Sequence, residues 1–264
     1  MGEARGKLIH YHVFKNSGSS VDFLLNRYFG QKHVCVEGET THDVLSSKRL
    51  DAHLREIEHY EAVSTHLGRP GPELSHHIPI AFLRDPIDRA RSVYRFIRQD
   101  PVQPGHVEFA NASFRDFVET ILASDKGGAV IRNYQTIHFS DASFRCADIG
   151  DARATERDLR QSLALLSSWL VVGITRQFAL SLRRFNSVYG ALYPGLFVGA
   201  PRVNVTRERY VSDRHEWAEA RLELGPALFN RLLEANALDL TLYQWAVNRL
   251  AEPEEMEWDL AMGG

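Results

Sequence analysis

Two cysteines, Cys35 and Cys146, are all that 264 residues contain. So few argue against a disulfide scaffold and favour a reducing compartment, and neither has the Cys-x-x-Cys partner of a thiolate metal site. Basic charge is not in excess: 31 Lys and Arg stand against 34 Asp and Glu, a formal net charge of −3. That removes the global field a nonspecific nucleic-acid binder needs, while leaving room for a local basic pocket. No stretch approaches the roughly 18 apolar residues of a membrane-spanning helix. The opening "MGEARGKLIHYHVF" lacks the small-residue cleavage signature of a signal peptide, and Gly2 lacks the downstream serine or threonine of a myristoylation pattern. The expectation is a cytoplasmic enzyme. No Gly-x-Ser-x-Gly elbow announces serine hydrolysis, and no Gly-x-x-x-x-Gly-Lys-Ser/Thr string announces the usual triphosphate loop.

What is present is ordinary in amount and informative in order. Hydrophobic residues make up 44% and charged residues 25%, as in a globular protein. "KLIHYHVF" has the β-branched and aromatic character of a strand, with His10 and His12 alternating against apolar neighbours. "SVDFLLNRYF" follows with Val21, Leu24, Leu25 and Tyr28 at helical spacing, and Gly30 is placed to end that helix. "KHVCVEG", "IAFLRDP" and "WLVVGIT" read as further strands. Residues 46–60, 87–100, 114–124, 156–168 and 177–190 read as helices, and 209–250 as mostly helical. Strands separated by helices predict one α/β domain over 1–264 with a mostly parallel central sheet, of which 208–264 is a mainly helical extension.

Two loops carry chemistry. The first, Lys15-Asn16-Ser17-Gly18-Ser19-Ser20, joins the first strand to the first helix, where backbone amides and the positive helix end favour phosphate or sulfate. Gly18 permits close backbone approach, Ser19 and Ser20 offer hydroxyls, and Lys15 adds a cation. The bland alternative is a structural turn with Ser19 as helix N-cap. The second loop, "FLRDPIDRARSVY", puts Arg84 at the C-terminal end of a core strand, where open sheets bind ligands. Arg89 and Ser92 stand three apart on the following helix, and guanidinium and hydroxyl together suit a terminal phosphate. Its bland alternative makes Asp85 a cap and the arginines a solvated face. The two loops together suit a nucleotide with phosphates at two positions.

At these residues the sequence resembles the sulfotransferases that use 3'-phosphoadenosine 5'-phosphosulfate (PAPS). "FKNSGSS" is similar to their 5'-phosphosulfate loop, and "FLRDPIDRARSVY" to their 3'-phosphate motif at Arg84, Arg89, Ser92 and Tyr94. "NYQT" (133–136) and "VVGITRQFALSL" resemble segments of the carbohydrate and glycan branch. Asn16, Ser17 and Arg176 depart from the common pattern. The resemblance implies a P-loop-like three-layer fold, PAPS as sulfuryl donor with adenosine 3',5'-bisphosphate as product, and a hydroxyl-bearing small molecule or carbohydrate as acceptor. It implies Lys15 at the leaving phosphate, with Asn16, Ser17, Gly18, Ser19, Ser20, Arg84, Arg89 and Ser92 holding the donor.

A hydroxyl acceptor also needs a base, for which a histidine near neutrality serves. Of 12 histidines, His66 in "VSTHLGRPG" is preferred, because it follows a short strand and precedes a Gly/Pro loop. Relatives carry a Gly-His pair at such a position, and Thr65 stands here for that glycine. His12, His76 and His77 are weaker candidates, and His53 and His59 are expected to face water. No metal-ligand set is evident, so transfer without a metal is expected. Tyr94 and Phe96 read either as an adenine cover or as core. Competing readings are a small-molecule kinase with a divergent phosphate loop and a noncatalytic nucleotide- or sulfated-glycan-binding protein.

Overall fold

The computed structural model describes residues 6–40, 42–199 and 213–251. The Gly2 motif and the acidic tail beyond 251 lie outside the described residues. In chain order the strands are β1 (Leu8–Tyr11), β2 (His33–Cys35), β3 (Ala62–Thr65), β4 (Ile78–Ile80), β5 (Phe82–Leu83) and β6 (Gly173–Ile174). The helices are α1 (Gly18–Phe29), α2 (Ser47–Glu56), α3 (Pro86–Gln99), α4 (His106–Phe109), α5 (Phe114–Ala123), α6 (Tyr134–His138), α7 (Glu156–Ser167), α8 (Phe178–Tyr189), α9 (Asp213–Leu224), α10 (Pro226–Ala235) and α11 (Ala237–Ala251).

Every pairing is parallel. Four strands run in the order β2-β3-β1-β4, with Leu8 opposite Ala62 and Ile78. Beyond Ala81 the same stretch of chain continues as β5, which pairs with β6, and the Gly173 amide donates to Ala81 O at 2.9 Å. Pro79 is tolerated inside β4 because the Ile78 amide already serves the β1 side through Lys7 O (2.8 Å). The alternate residue then turns its missing donor away from that ladder.

Period-two alternation divides the strands between two cores. Leu8, Ile80 and Phe82 join Val21, Leu24 and Leu25 of α1 and Leu182 and Phe185 of α8 on one face. Ile9, Tyr11, Val63 and Leu83 join Leu50 and Leu54 of α2, Leu159 and Leu166 of α7 and Leu242 and Ala246 of α11 on the other. Each such side chain contributes about 1.5–3 kcal/mol on burial. The result is the expected three-layer α/β arrangement.

Helix boundaries follow local chemistry. Asp85 caps α3, its Oδ1 accepting from the Ile87 and Asp88 amides at 3.0 Å, and Pro86 takes the first position, where no amide is needed. Gly30 closes α1 at φ 55°. The long helical reading near the end divides into three at Gly225-Pro226 and at Asn236. α9 and α10 send Ala220, Leu224, Leu228 and Phe229 into a third core with Ile87, Val93, Phe114 and Phe117. "WLVVGIT" is strand only at Gly173–Ile174, because β5 offers two residues before the chain turns into α3.

Candidate active site

The loop after β1 is strained where it meets the helix. Lys15 (φ 67°) and Ser17 (φ 66°) both lie in the left-handed region, which costs a non-glycine residue about 1 kcal/mol or more and concentrates at functional sites. Ser17, not Ser19, occupies the N-cap position, and its side chain makes no capping bond. Ser19 is exposed in the first turn. The Ser17, Gly18 and Ser19 amides have no acceptor among the described residues, while Ser20 N bonds back to Ser17 O at 3.0 Å. Three free donors at a helix start form an anion cradle.

A second set of bonds fixes this loop to α6 and the second motif. Asn16 is 2% exposed and its Nδ2 donates to Phe82 O (2.8 Å) and Gln135 Oε1 (2.7 Å). The same Gln135 oxygen accepts from the Arg84 amide at 2.9 Å, and Gln135 Nε2 returns a bond to Arg84 O at 2.9 Å. Gln135 is fixed in turn by Asp239 of α11, which also accepts from Thr136 N (2.7 Å) and Thr136 Oγ1 (2.8 Å). Asn236 Nδ2 donates to Ile131 O, and Asn133 Oδ1 accepts from the Leu238 and Asp239 amides. Sequence reasoning picked out "NYQT" only by resemblance and missed Asn236 and Asp239, whose partners lie about a hundred positions away.

Arg84 binds the two motifs to each other. Its Nη1 donates to Lys15 O at 2.8 Å, and its remaining donors form a fork on Asp88 at 2.8 and 3.0 Å. Ser92 is half-buried one turn beyond Asp88 on α3. Arg89 is brought to a different place: fully buried, its guanidinium donates to Val130 O and Phe14 O and lies 4.7 Å from the Tyr134 ring. Lys15 rests its Nζ 4.1 Å from the Phe96 ring centroid, and burial, then Arg84, pushes its pKa down. Tyr94 is core: its ring packs on Phe114 and Phe117, and its hydroxyl donates to Ala112 O.

His66 stands immediately after β3. Its Nδ1 is 2.7 Å from Glu37 Oε1, and its amide donates to the same carboxylate at 2.8 Å. Its side chain is 49% exposed. With Nδ1–H given to Glu37, Nε2 is the free, basic nitrogen. The His66 ring lies 3.9 Å from the His12 ring, centroid to centroid. His12 in turn sits against the phosphate loop, because a Cβ on Gly18 would fall 1.9 Å from its Nε2. His77, a weaker candidate, is buried against the Tyr60 hydroxyl (2.9 Å); of the two histidines expected to face water, His59 is exposed and His53 is half-buried.

Behind His12 lies a network that the sequence did not suggest beyond the His10/His12 alternation. Asp22 Oδ1 accepts from His10 Nδ1 (2.8 Å) and Ser64 Oγ (2.6 Å), and His33 Nε2 reaches Ser64 Oγ at 2.9 Å. Asp22 Oδ2 is 2.9 Å from His12 Nδ1, an ion-pair distance without hydrogen-bond alignment. Burial lowers the pKa of His10, and lowers that of His12 to about 4, outweighing the pull of Asp22. Burial alone would raise Asp22, but His10 and His12 overcome it and hold the carboxyl well below its usual range. Among the described residues, His10, His12 and Asp22 are the one trio with metal-ligand chemistry and spacing. Oδ1 of that carboxylate is already engaged by His10 and Ser64, so that His10, Asp22 and Ser64 form a hydrogen-bonded network with His12 at its edge.

Comparison with known proteins places the chain in a family. The model of the sulfotransferase family matches residues 3–246. An uncharacterized protein of Archaeoglobus fulgidus is 26% identical over 256 residues, spanning 93% of this chain and 97% of the relative. No helix among the described residues is long and apolar enough to cross a membrane.

Proposed function

From the premise that the chain belongs to the sulfotransferase family, we infer that it transfers a sulfuryl group from PAPS to a hydroxyl acceptor, a carbohydrate or glycan being the favoured class. The observation that carries this reading is the meeting of two parts. The His66–Glu37 pair, with Nε2 free, reaches the Gly18 loop with its unpaired amides through a single intervening ring. In the reaction the acceptor oxygen attacks sulfur, its proton passes to His66 Nε2, and the bond from sulfur to the 5'-phosphate oxygen breaks. The Ser17–Ser19 amides, the Ser20 hydroxyl and Lys15 receive the charge developing on the departing phosphate. Lys15 does this by leaving the Phe96 face. Asn16 shapes the loop from beneath.

For the 3'-phosphate, Ser92 and Arg84 are the accessible candidates, Arg84 exchanging part of its Asp88 fork for the ligand. Arg89 contributes from inside, holding the Phe14 and Val130 carbonyls so that the loop and α3 keep their spacing. The test is transfer of labelled sulfuryl from PAPS across a mixed acceptor library, repeated with Lys15→Ala and His66→Ala. Both variants should lose at least a hundredfold in kcat. Tight PAPS binding without transfer to any acceptor would point to a noncatalytic binding protein instead, and magnesium-dependent ATP turnover to a kinase.

A further inference from the structure

We propose that His12 is a positioning residue of the transfer centre: a neutral imidazole wedge that sets the spacing between the phosphate loop and the base His66 without itself taking a proton. The inference rests on the sulfotransferase reading for its chemistry and on geometry for its residue. One side of the His12 ring faces His66 at 3.9 Å, inclined by 31°. Its Cδ2–Nε2 edge occupies the space where a side chain on Gly18 would stand. The His10 ring stacks beside it at 5.3 Å, and Asp22 lies 2.9 Å from its Nδ1. Asp22 is itself held by His10 and by Ser64, which His33 supports from β2. With 8% of its surface exposed, His12 has no room to retreat.

Neutrality matters as much as shape. When His66 Nε2 takes the acceptor proton, a cationic ring 3.9 Å away would oppose the new charge, whereas a neutral one does not. The groups around this pair are Glu37 after β2, His10 on β1, Asp22 on α1, His138 on α6 and Arg69 after β3. Burial keeps His10, His12 and His138 on the neutral side. His66, by contrast, has about half of its side chain exposed to solvent.

Two substitutions and one titration test the proposal. His12→Ala removes the wedge and should lower kcat at least tenfold while KM for PAPS changes less than threefold. His12→Phe restores a neutral ring and should recover kcat to within about threefold of the parent. A Phe variant as inactive as the Ala variant, with both folded by circular dichroism, would assign His12 a proton-transfer role and overturn the proposal, as would an Ala variant of parental kcat. The titration needs no donor, so it stands even if PAPS proves not to be the substrate. In the intact protein, NMR should show the His12 ring staying neutral between pH 8 and 5. Protonation of His12 within that range would refute the neutral wedge.

Discussion

Replacing Gly18 by alanine is a one-carbon change whose consequences can be worked from the structure. The new Cβ would lie 1.8 Å from His12 Cδ2, 1.9 Å from Nε2 and 2.4 Å from Cγ. Carbon contacts relax near 3.5 Å, so the imidazole would have to withdraw by roughly 1.5 Å. It cannot do so alone, with Asp22 2.9 Å from Nδ1 and the His66 ring 3.9 Å away. The remaining response is to lift the N-terminus of α1 from the sheet or to expel the ring, and overpacking of this kind costs about 1–3 kcal/mol. For a domain of this size that is a fall in melting temperature of roughly 3–10 °C. Differential scanning fluorimetry reads the stability, and PAPS titration reads the loop. The double variant Gly18→Ala/His12→Ala should regain most of the lost stability, since the clash is gone, but not the turnover. A Gly18→Ala protein with parental melting temperature and parental PAPS affinity would refute the packing argument. So would a double variant less stable than the sum of the single changes.

Asp239→Ala leaves the buried Gln135 and Thr136 amides without their acceptor and should destabilise the fold by about 3 kcal/mol or more in urea unfolding, with weaker PAPS binding in calorimetry. Unchanged binding in the folded variant would separate the Gln135 clasp from the donor site. Glu37→Gln keeps the size of the group that orients His66 but removes its charge, and should lower kcat about tenfold with little change in KM for PAPS; equal loss in both would mean that Glu37 serves donor binding. Stability should fall on acidification. His12 and His77 are held by burial at about 4 when folded, against about 6.5 unfolded, so the unfolded chain binds more protons between those values. Their stabilisation is complete above about pH 6.5 and is lost on descending toward pH 4, at up to roughly 1.4 kcal/mol per pH unit for each. Urea midpoints that stay flat from pH 7 to 5 would contradict the assigned neutral states.

Legibility in the sequence follows the distance over which each feature is decided. Asp85 and Pro86 announce the start of α3 because capping is settled within three residues, and Gly30 ends α1 for the same local reason. The alternation of His10 and His12 placed both rings on one face of β1. It could not say that Asp22, one helix turn beyond Gly18, would meet them, because that depends on how α1 lies across the strand. Lys15 and Ser17 carry no preference for positive φ, so the strain in the loop was invisible, and Ser19 was an equally good cap on paper. Arg89 in "RDPIDRARSVY" read as a ligand for phosphate; its acceptors, Phe14 O and Val130 O, come from segments 75 and 41 positions away. The "WLVVGIT" strand was cut short by the brevity of its partner β5, which its own residues do not encode.

The helices after residue 213 carry apolar periodicity that by itself names no duty. The bonds they make assign them one. Asp239 and Asn236 hold the 131–136 segment by its backbone, and Gln135 of that segment bonds to both motifs, to Asn16 in one and to Arg84 in the other. The phosphate loop is strained at two positions, and strain persists only where the surroundings over-determine the conformation. Here the determinants are the Asn16 bonds below the loop and the Arg84 bond to Lys15 O beside it. Both depend on Gln135, and Gln135 depends on α11. The last helix is therefore part of what keeps the first loop in shape, although it stands some two hundred residues away in the chain.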